Sequence, residues 1–218
     1  LHYRKVWLMK NRFDDELNEL YLSIINMASL AENAVNLLSL EMSGEKKGVK
    51  SLVEEYTREI ERKNHDLENY CVNLLLRYHP VAKDLRRISS ATKIVADLER
   101  IGDNALDVAE VMEYCTDQSL YSKIFLDKMC LSVKKMVEKA VQSYVSNDAT
   151  KALEVEKSDD IVDGYFLKAK ESLIKLIRQN SNSSDEAPDL MMIAKYLERM
   201  GDHAASISRW VIYENNYN

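Results

Sequence analysis

Two pairs of carboxylates stand at matching places in this chain: Glu99 with Asp103, and Glu198 with Asp202, each four residues apart. On a helix that spacing stacks both acids on one face, where like charges repel by roughly 0.2–0.5 kcal/mol per pair. One such pair is unremarkable, but the same pair at the same point of a repeated segment asks for a compensating partner. Asp159 and Asp163 repeat the spacing on an earlier segment of the second half. An antiparallel neighbouring helix brings them against Glu198 and Asp202. Four carboxylates without a thiolate make a hard-cation site, suited to iron, manganese, magnesium or calcium, with zinc also compatible.

The first half offers a thinner set. With Ile60 aligned to Val162, Glu61 matches Asp163, but Thr57 stands where Asp159 would be. His65, four residues after Glu61, is the nearest substitute ligand. His203 follows Asp202 directly, and a lone histidine there reads first as a hydrogen-bonding or interface group, with Asn104 in its place in the first half.

Glycines mark the same two spots. Gly102 and Gly201 precede Asp103 and Asp202, and a glycine inside a helix costs about 1 kcal/mol relative to alanine. Two of only five glycines at equivalent helical positions imply close approach by a neighbouring helix or a ligand. Glu99 shares its stripe with Val95, Gly102 and Leu106, and Glu198 shares its stripe with Ala194, Gly201 and Ala205. The acids therefore belong at the edge of a packed face, where desolvated like charges call for a cation or donor. The competing explanation is ion pairing along the helix, with Arg100 and Arg199, each one residue after its glutamate, neutralising the acids.

Oxygen-activating carboxylate enzymes present Glu-x-x-His pairs in a four-helix core. Here Arg62, Leu76 and Met200 stand three residues before His65, His79 and His203. No nucleophile–base pairing or glycine-rich phosphate loop is visible either, so no catalytic residue is assigned.

These acids must be held by helices. Gly and Pro together number only seven in 218 residues, which leaves few places for turns. From Leu17, apolar residues recur at helical spacing through Leu20, Ile24, Met27, Ala31, Val35 and Leu38, giving a first helix that ends near Gly44. A second helix is predicted from Lys50 to Tyr78. Pro80 then sits in the first turn of a third, which runs through Met112. A fourth helix covers Leu126 to about Ser146 and a fifth Ala149 to Gln179. After the polar loop NSNSSDEAP, Pro188 opens a sixth.

The two halves repeat each other. DLERIGDNA (Asp97–Ala105) returns as YLERMGDHA (Tyr196–Ala204), and Glu32-Asn-Ala-Val returns as Glu138-Lys-Ala-Val. The expected fold is therefore all-α: two tandem repeats of an antiparallel three-helix bundle, six long helices in all. The repeats take residues 9–117 and 118–218. Residues 1–8 read as an extension ahead of a natural start at Met9, without the apolar core of a signal peptide.

A net charge of −6 and a pI near 5.4 exclude a basic nucleic-acid groove. No run of 18 apolar residues is present to span a membrane. Cys71, Cys115 and Cys130 are widely spaced, as expected of buried thiols in a reducing compartment rather than a disulfide framework.

The segment Pro80-Val-Ala-x-Asp-Leu-Arg-Arg-Ile, then Lys93-Ile-Val-Ala-Asp-Leu-Glu-Arg-Ile-Gly-Asp, closely resembles the PhoU phosphate-transport regulators. Tyr196-Leu-Glu-Arg-Met-Gly-Asp-His-Ala is similar to that family's second repeat, and Arg12-Phe-Asp-Asp-Glu-Leu to its start. The resemblance implies multinuclear metal clusters built by E(D)xxxD pairs, a role that falls on Glu99, Asp103, Asp159, Asp163, Glu198 and Asp202, and on Glu61 alone where Thr57 interrupts the pattern. It implies a cytoplasmic regulator that restrains phosphate-starvation signalling through two partners, the ATPase of the high-affinity phosphate ABC transporter and a membrane sensor histidine kinase. A homodimer is the default assembly. Two other readings stay open: a PhoU-like domain of a sodium–phosphate symporter, and a metal-storage or carboxylate metalloprotein.

Overall fold

The computed structural model describes residues 2–179 and 186–215, with side chains from residue 12 onward. Seven helices and no strand occur among them: α1 (His2–Met42), α2 (Lys50–Tyr78), α3 (Ala82–Met112), α4 (Ser119–Lys123), α5 (Leu126–Val145), α6 (Ala149–Gln179) and α7 (Ala187–Asn215). No helix among the described residues is long and apolar enough to cross a membrane.

Helices α1, α2 and α3 pack on one another as one three-helix unit, and α5, α6 and α7 as the second. The units join along a broad seam where α3 lies on α7 and α1 on α5. Helices α2 and α6 pack within their own units, α2 on α1 and α3, α6 on α5 and α7, so that each acid-bearing pair has one helix, α3 or α7, in the seam. Sequence periodicity explains the packing. On α2 the buried residues are Val53, Thr57, Ile60, Asn64, Leu67, Cys71 and Leu74, a three–four spacing that turns one stripe inward.

The first helix begins earlier than the apolar pattern from Leu17 implies. Nothing between His2 and Met42 breaks it, and its backbone is continuous across the junction after residue 8. Phe13 extends the buried stripe and meets the Tyr78 ring at 4.9 Å between centroids. The connection to α2 needs Gly44 and Gly48 at positive φ, 81° and 66°. Glu41 then accepts from the Gly48 and Val49 amides at 3.2 and 3.0 Å.

Pro80 does not sit in the first turn of α3, which opens at Ala82. The preceding residue, His79, is left-handed (φ 46°, ψ 54°) and its N–H closes α2 on the Leu75 carbonyl. A residue before proline is pushed out of the right-handed helical region, so Pro80 ends α2 rather than starting α3. Pro188 does fall in the first turn of α7. Most of the loop NSNSSDEAP lies outside the described residues. The stretch between the repeats contains the short helix α4, too brief to carry a periodic signal. Cys71, Cys115 and Cys130 are free and buried.

Candidate metal centre

In the second repeat, α6 supplies Asp159 and Asp163, and α7 supplies Glu198 and Asp202. The two helices run close together at Gly201, where an added Cβ would make ordinary contacts. A Cβ there would lie 3.4 Å from Val162 Cγ1 and 3.5 Å from Asp159 Oδ1. Asp159 is thus laid against the α7 backbone beside the glycine. Burial, then the charges of Asp202 and Asp163, push its carboxyl up to about 6. Asp202 is raised by burial first and then by Glu198 and Asp163, against weaker relief from Lys195 and His203. All four acids predicted from sequence are therefore electrostatically coupled.

The first repeat carries the weaker version. Burial raises Asp103, with Glu61 adding to the rise and Arg100 and His203 opposing it. Burial likewise raises Glu99, followed by the Asp103 charge. Thr57, at the place of Asp159, is buried, and its hydroxyl donates to the Val53 and Gly102 carbonyls at 3.0 and 3.2 Å. That hydroxyl is committed to the backbone. At Gly102 an added Cβ would meet no acid but the Ile60 side chain, with Cδ1 at 3.0 Å.

Three participants escaped sequence reasoning. Asn64, buried one turn along α2, hydrogen-bonds Glu99 while its own carbonyl oxygen lacks a partner. Glu68 adds its charge to Glu99. Their counterparts in the second repeat are Phe166 and Lys170, four and eight residues after Val162 as Asn64 and Glu68 follow Ile60. A third is Asp107, four residues after Asp103, raised by burial and by Asp103 and Glu110. Its spacing was visible in the sequence, but Ser206 replaces it in the second repeat.

Ion pairing follows the sequence expectation in one repeat only. Arg100 reaches Asp103 at 3.6 Å. Arg199 instead lines a groove with Arg100, Asp103 and Asp107 across the seam, and Glu198 is held by Lys195, which also lies 5.5 Å from the Phe166 ring centroid. His65 is exposed and bonded to Asn69, away from the acids. His203 places Nδ1 3.0 Å from Asp97 of the other repeat and serves the seam.

Among the described residues, no three His, Cys, Asp or Glu side chains converge to ligand distances as they stand. The donor chemistry nonetheless fits a hard cation in the second repeat. All four donors are carboxylates, two on each of two adjacent helices, and Asp159 and Asp202 are both pushed toward protonation by burial and then by neighbouring acids. A cation there would relieve that repulsion, and Asp159 lies beside Gly201 on α7. In the first repeat Glu99, Asp103 and Glu61 remain, and the Thr57 position donates protons to carbonyls rather than electrons to a metal.

The family model described as "PhoU domain" matches the chain twice, over residues 24–112 and 126–211. The chain is 31% identical over 205 residues to the phosphate-specific transport system accessory protein PhoU homolog 1 of Thermotoga maritima, covering 92% of this chain and 88% of that protein. It is 28% identical over 203 residues to the corresponding homolog of Clostridium acetobutylicum, covering 92% and 93%. The crystal structure of PhoU from Pseudomonas aeruginosa superposes with a TM-score of 0.88 at 29% identity, covering 94% of this chain and all of that one. The regulatory protein PhoU of Streptococcus pneumoniae, at 24% identity and a TM-score of 0.84, has the same fold.

Proposed function

The chain belongs to the PhoU family, and we propose that it is a non-catalytic regulator of phosphate uptake and phosphate-starvation signalling that binds metal at Asp159, Asp163, Glu198 and Asp202. In this reading it works in the cytoplasm as a homodimer. It acts as an adaptor between the ATPase of a high-affinity phosphate ABC transporter and a sensor histidine kinase. The observation that carries the regulatory part is the paired family domain spanning almost the whole chain, shared with accessory proteins of phosphate-specific transport. The metal part rests on the coupled acids of α6 and α7, gathered beside Gly201. When bound, a hard cation would supply charge neutralisation and crosslink α6 to α7. The chain's own acids set the affinity through their separation and burial.

Elemental analysis of the purified protein beside the Glu198→Ala/Asp202→Ala variant tests the metal assignment. Metal content is expected to fall by half or more, and equal content in both proteins would sink it. The adaptor reading predicts that the protein captures the transporter ATPase and the sensor kinase from purified mixtures. Failure to capture either, with and without phosphate and added metal, would overturn it.

A further inference from the structure

The repeat gives the seam two equivalent ends, and they are finished differently. Aligning Glu99 with Glu198 pairs Arg87 with Glu186, Ala91 with Leu190, Cys115 with Glu214 and Thr116 with Asn215. Aligning Glu32 with Glu138 pairs Leu20 with Leu126, Leu38 with Tyr144 and Glu41 with Asn147. The contacts obey this pairing. At one end Arg87 lies 3.6 Å from Glu214 across the seam, and at the other Glu186 accepts from the Thr116 amide at 3.2 Å.

At the Glu186 end a ring of the chain itself fills the seam. Phe125, left-handed at φ 67°, breaks α4 from α5, and Tyr121 of α4 is wholly buried. Its hydroxyl lies beside Cys115 and within the fields of Glu41 and Glu186, the counterparts of Glu214, Asn147 and Arg87. At the Arg87 end the stretch aligned with α4 belongs to the unbroken α1. The described residues leave a cavity of about 210 Å³ there, walled by buried Leu17, Leu20, Ala91 and Tyr144 and lined by Arg87, Asn147 and Glu214. An apolar cavity of about 150 Å³ admits benzene, so this one has room for a ring with a polar substituent.

The polar chemistry of the cavity narrows the ligand. The Tyr21 hydroxyl is spent on the Val145 carbonyl, and the Asn147 side-chain oxygen accepts from Asn215 at 2.7 Å. Arg87 and Glu214 remain, held more loosely than Arg77 and Glu16, whose two bonds are 3.0 Å each. An anion or a cation placed there would face a like charge. A hydroxyl accepts from the guanidinium and donates to the carboxylate at once. We propose that the cavity binds a small phenol, its ring against Leu20, Ala91 and Tyr144 and its hydroxyl between Arg87 and Glu214, as Tyr121 fills the equivalent place at the other end. The site shares no residue with the candidate metal ligands, so it stands or falls apart from them.

Titration of the full chain with p-cresol and with 4-methylanisole, followed by ligand-observed NMR, tests this. p-Cresol is expected to bind with a Kd of about 1 mM or tighter. 4-Methylanisole, which cannot donate to Glu214, is expected to bind about tenfold more weakly. Ala91→Phe, which puts a ring of the chain's own into the cavity, should abolish binding of both. Glu214→Leu should bring the two ligands within about twofold of each other. Absence of p-cresol binding to wild type would overturn the site, as would unchanged binding to an Ala91→Phe variant shown by circular dichroism to be folded. Equal affinity of wild type for both ligands, or a preference that survives Glu214→Leu, would overturn it too, and that comparison decides alone if Ala91→Phe does not fold.

Discussion

Alanine in place of Gly102 and in place of Gly201 should move stability in opposite directions, although the two glycines are equivalent in sequence. Each substitution gains about 1 kcal/mol from the helical preference of alanine over glycine. At Gly201 the added Cβ meets Val162 Cγ1 at 3.4 Å, Asp159 Oδ1 at 3.5 Å and Met136 Sδ at 3.8 Å, which is ordinary contact. Some of the gain is spent in drying Asp159 further, so the net expectation is a stabilisation of about 0.5 kcal/mol. At Gly102 the Cβ meets Ile60 Cδ1 at 3.0 Å and Cγ2 at 3.5 Å. Ile60 is fully buried, so its δ-methyl must give way inside a packed interior, and overpacking of this kind costs about 1–3 kcal/mol. The helical gain offsets part of that, leaving Gly102→Ala less stable than wild type by about 1 kcal/mol.

Urea unfolding followed by circular dichroism reads both signs, and Ile60→Val supplies the control. Removing Cδ1 alone costs about 0.5–1.5 kcal/mol. In the Gly102→Ala background it also removes the clash, so the two substitutions should couple favourably by about 1 kcal/mol. Equal stabilisation by both alanines, with no coupling to Ile60→Val, would refute the close-packing account of these glycines.

Asp159→Asn should stabilise the metal-free protein at alkaline pH and do nothing near pH 4. Burial and neighbouring acids raise this carboxyl to about 6, above its unfolded value, so folding favours its protonated form and loses stability as pH rises through that range. The group is partly exposed, which reduces the expected gain to about 0.5–1 kcal/mol at pH 8 in chelator, read from thermal melts across pH. Thr57→Asp should cost about 2 kcal/mol without metal, because a carboxylate would replace a hydroxyl that donates to the Val53 and Gly102 carbonyls. If the first repeat then binds a cation, elemental analysis will show added metal and the melting deficit will shrink on loading; an unchanged metal content means the Thr57 position alone does not decide occupancy.

The acid pairs and their glycines were legible because their rules are local. An (i, i+4) pair and a glycine inside a helix both carry a known cost, and each recurs at the same place in the repeat. What failed was tertiary. Arg199 stands one residue after Glu198, about 100° around the helix, so Lys195, three residues before, takes the glutamate instead. Pro80 reads as a helix opener by position, but the left-handed His79 before it is what decides the chain's path. Asn64 gives no signal as a buried amide, since its partner Glu99 lies on another helix. Glu32 and Glu138 marked the duplication in sequence, yet only the packing of α1 on α5 brings the Glu138 charge to bear on Glu32.

The divergence between the repeats follows one physical line. Where α2 and α3 meet, Thr57 spends its proton on backbone carbonyls and Asn64 gives one to Glu99, so the polar groups there are partly satisfied by neutral neighbours. Where α6 and α7 meet, Asp159 replaces Thr57 and Phe166 replaces Asn64, which removes both neutral donors and adds a charge. Lys195 pairs with Glu198 and eases Asp202 only in part, as Arg209 eases Asp159, leaving the cluster with excess negative charge. A buried excess of charge is held at a cost of stability unless a counter-ion arrives, and the cost is what sets the appetite for one. Cation affinity should therefore be ordered by repeat, the second filling before the first, because the second is the repeat that the fold leaves uncompensated.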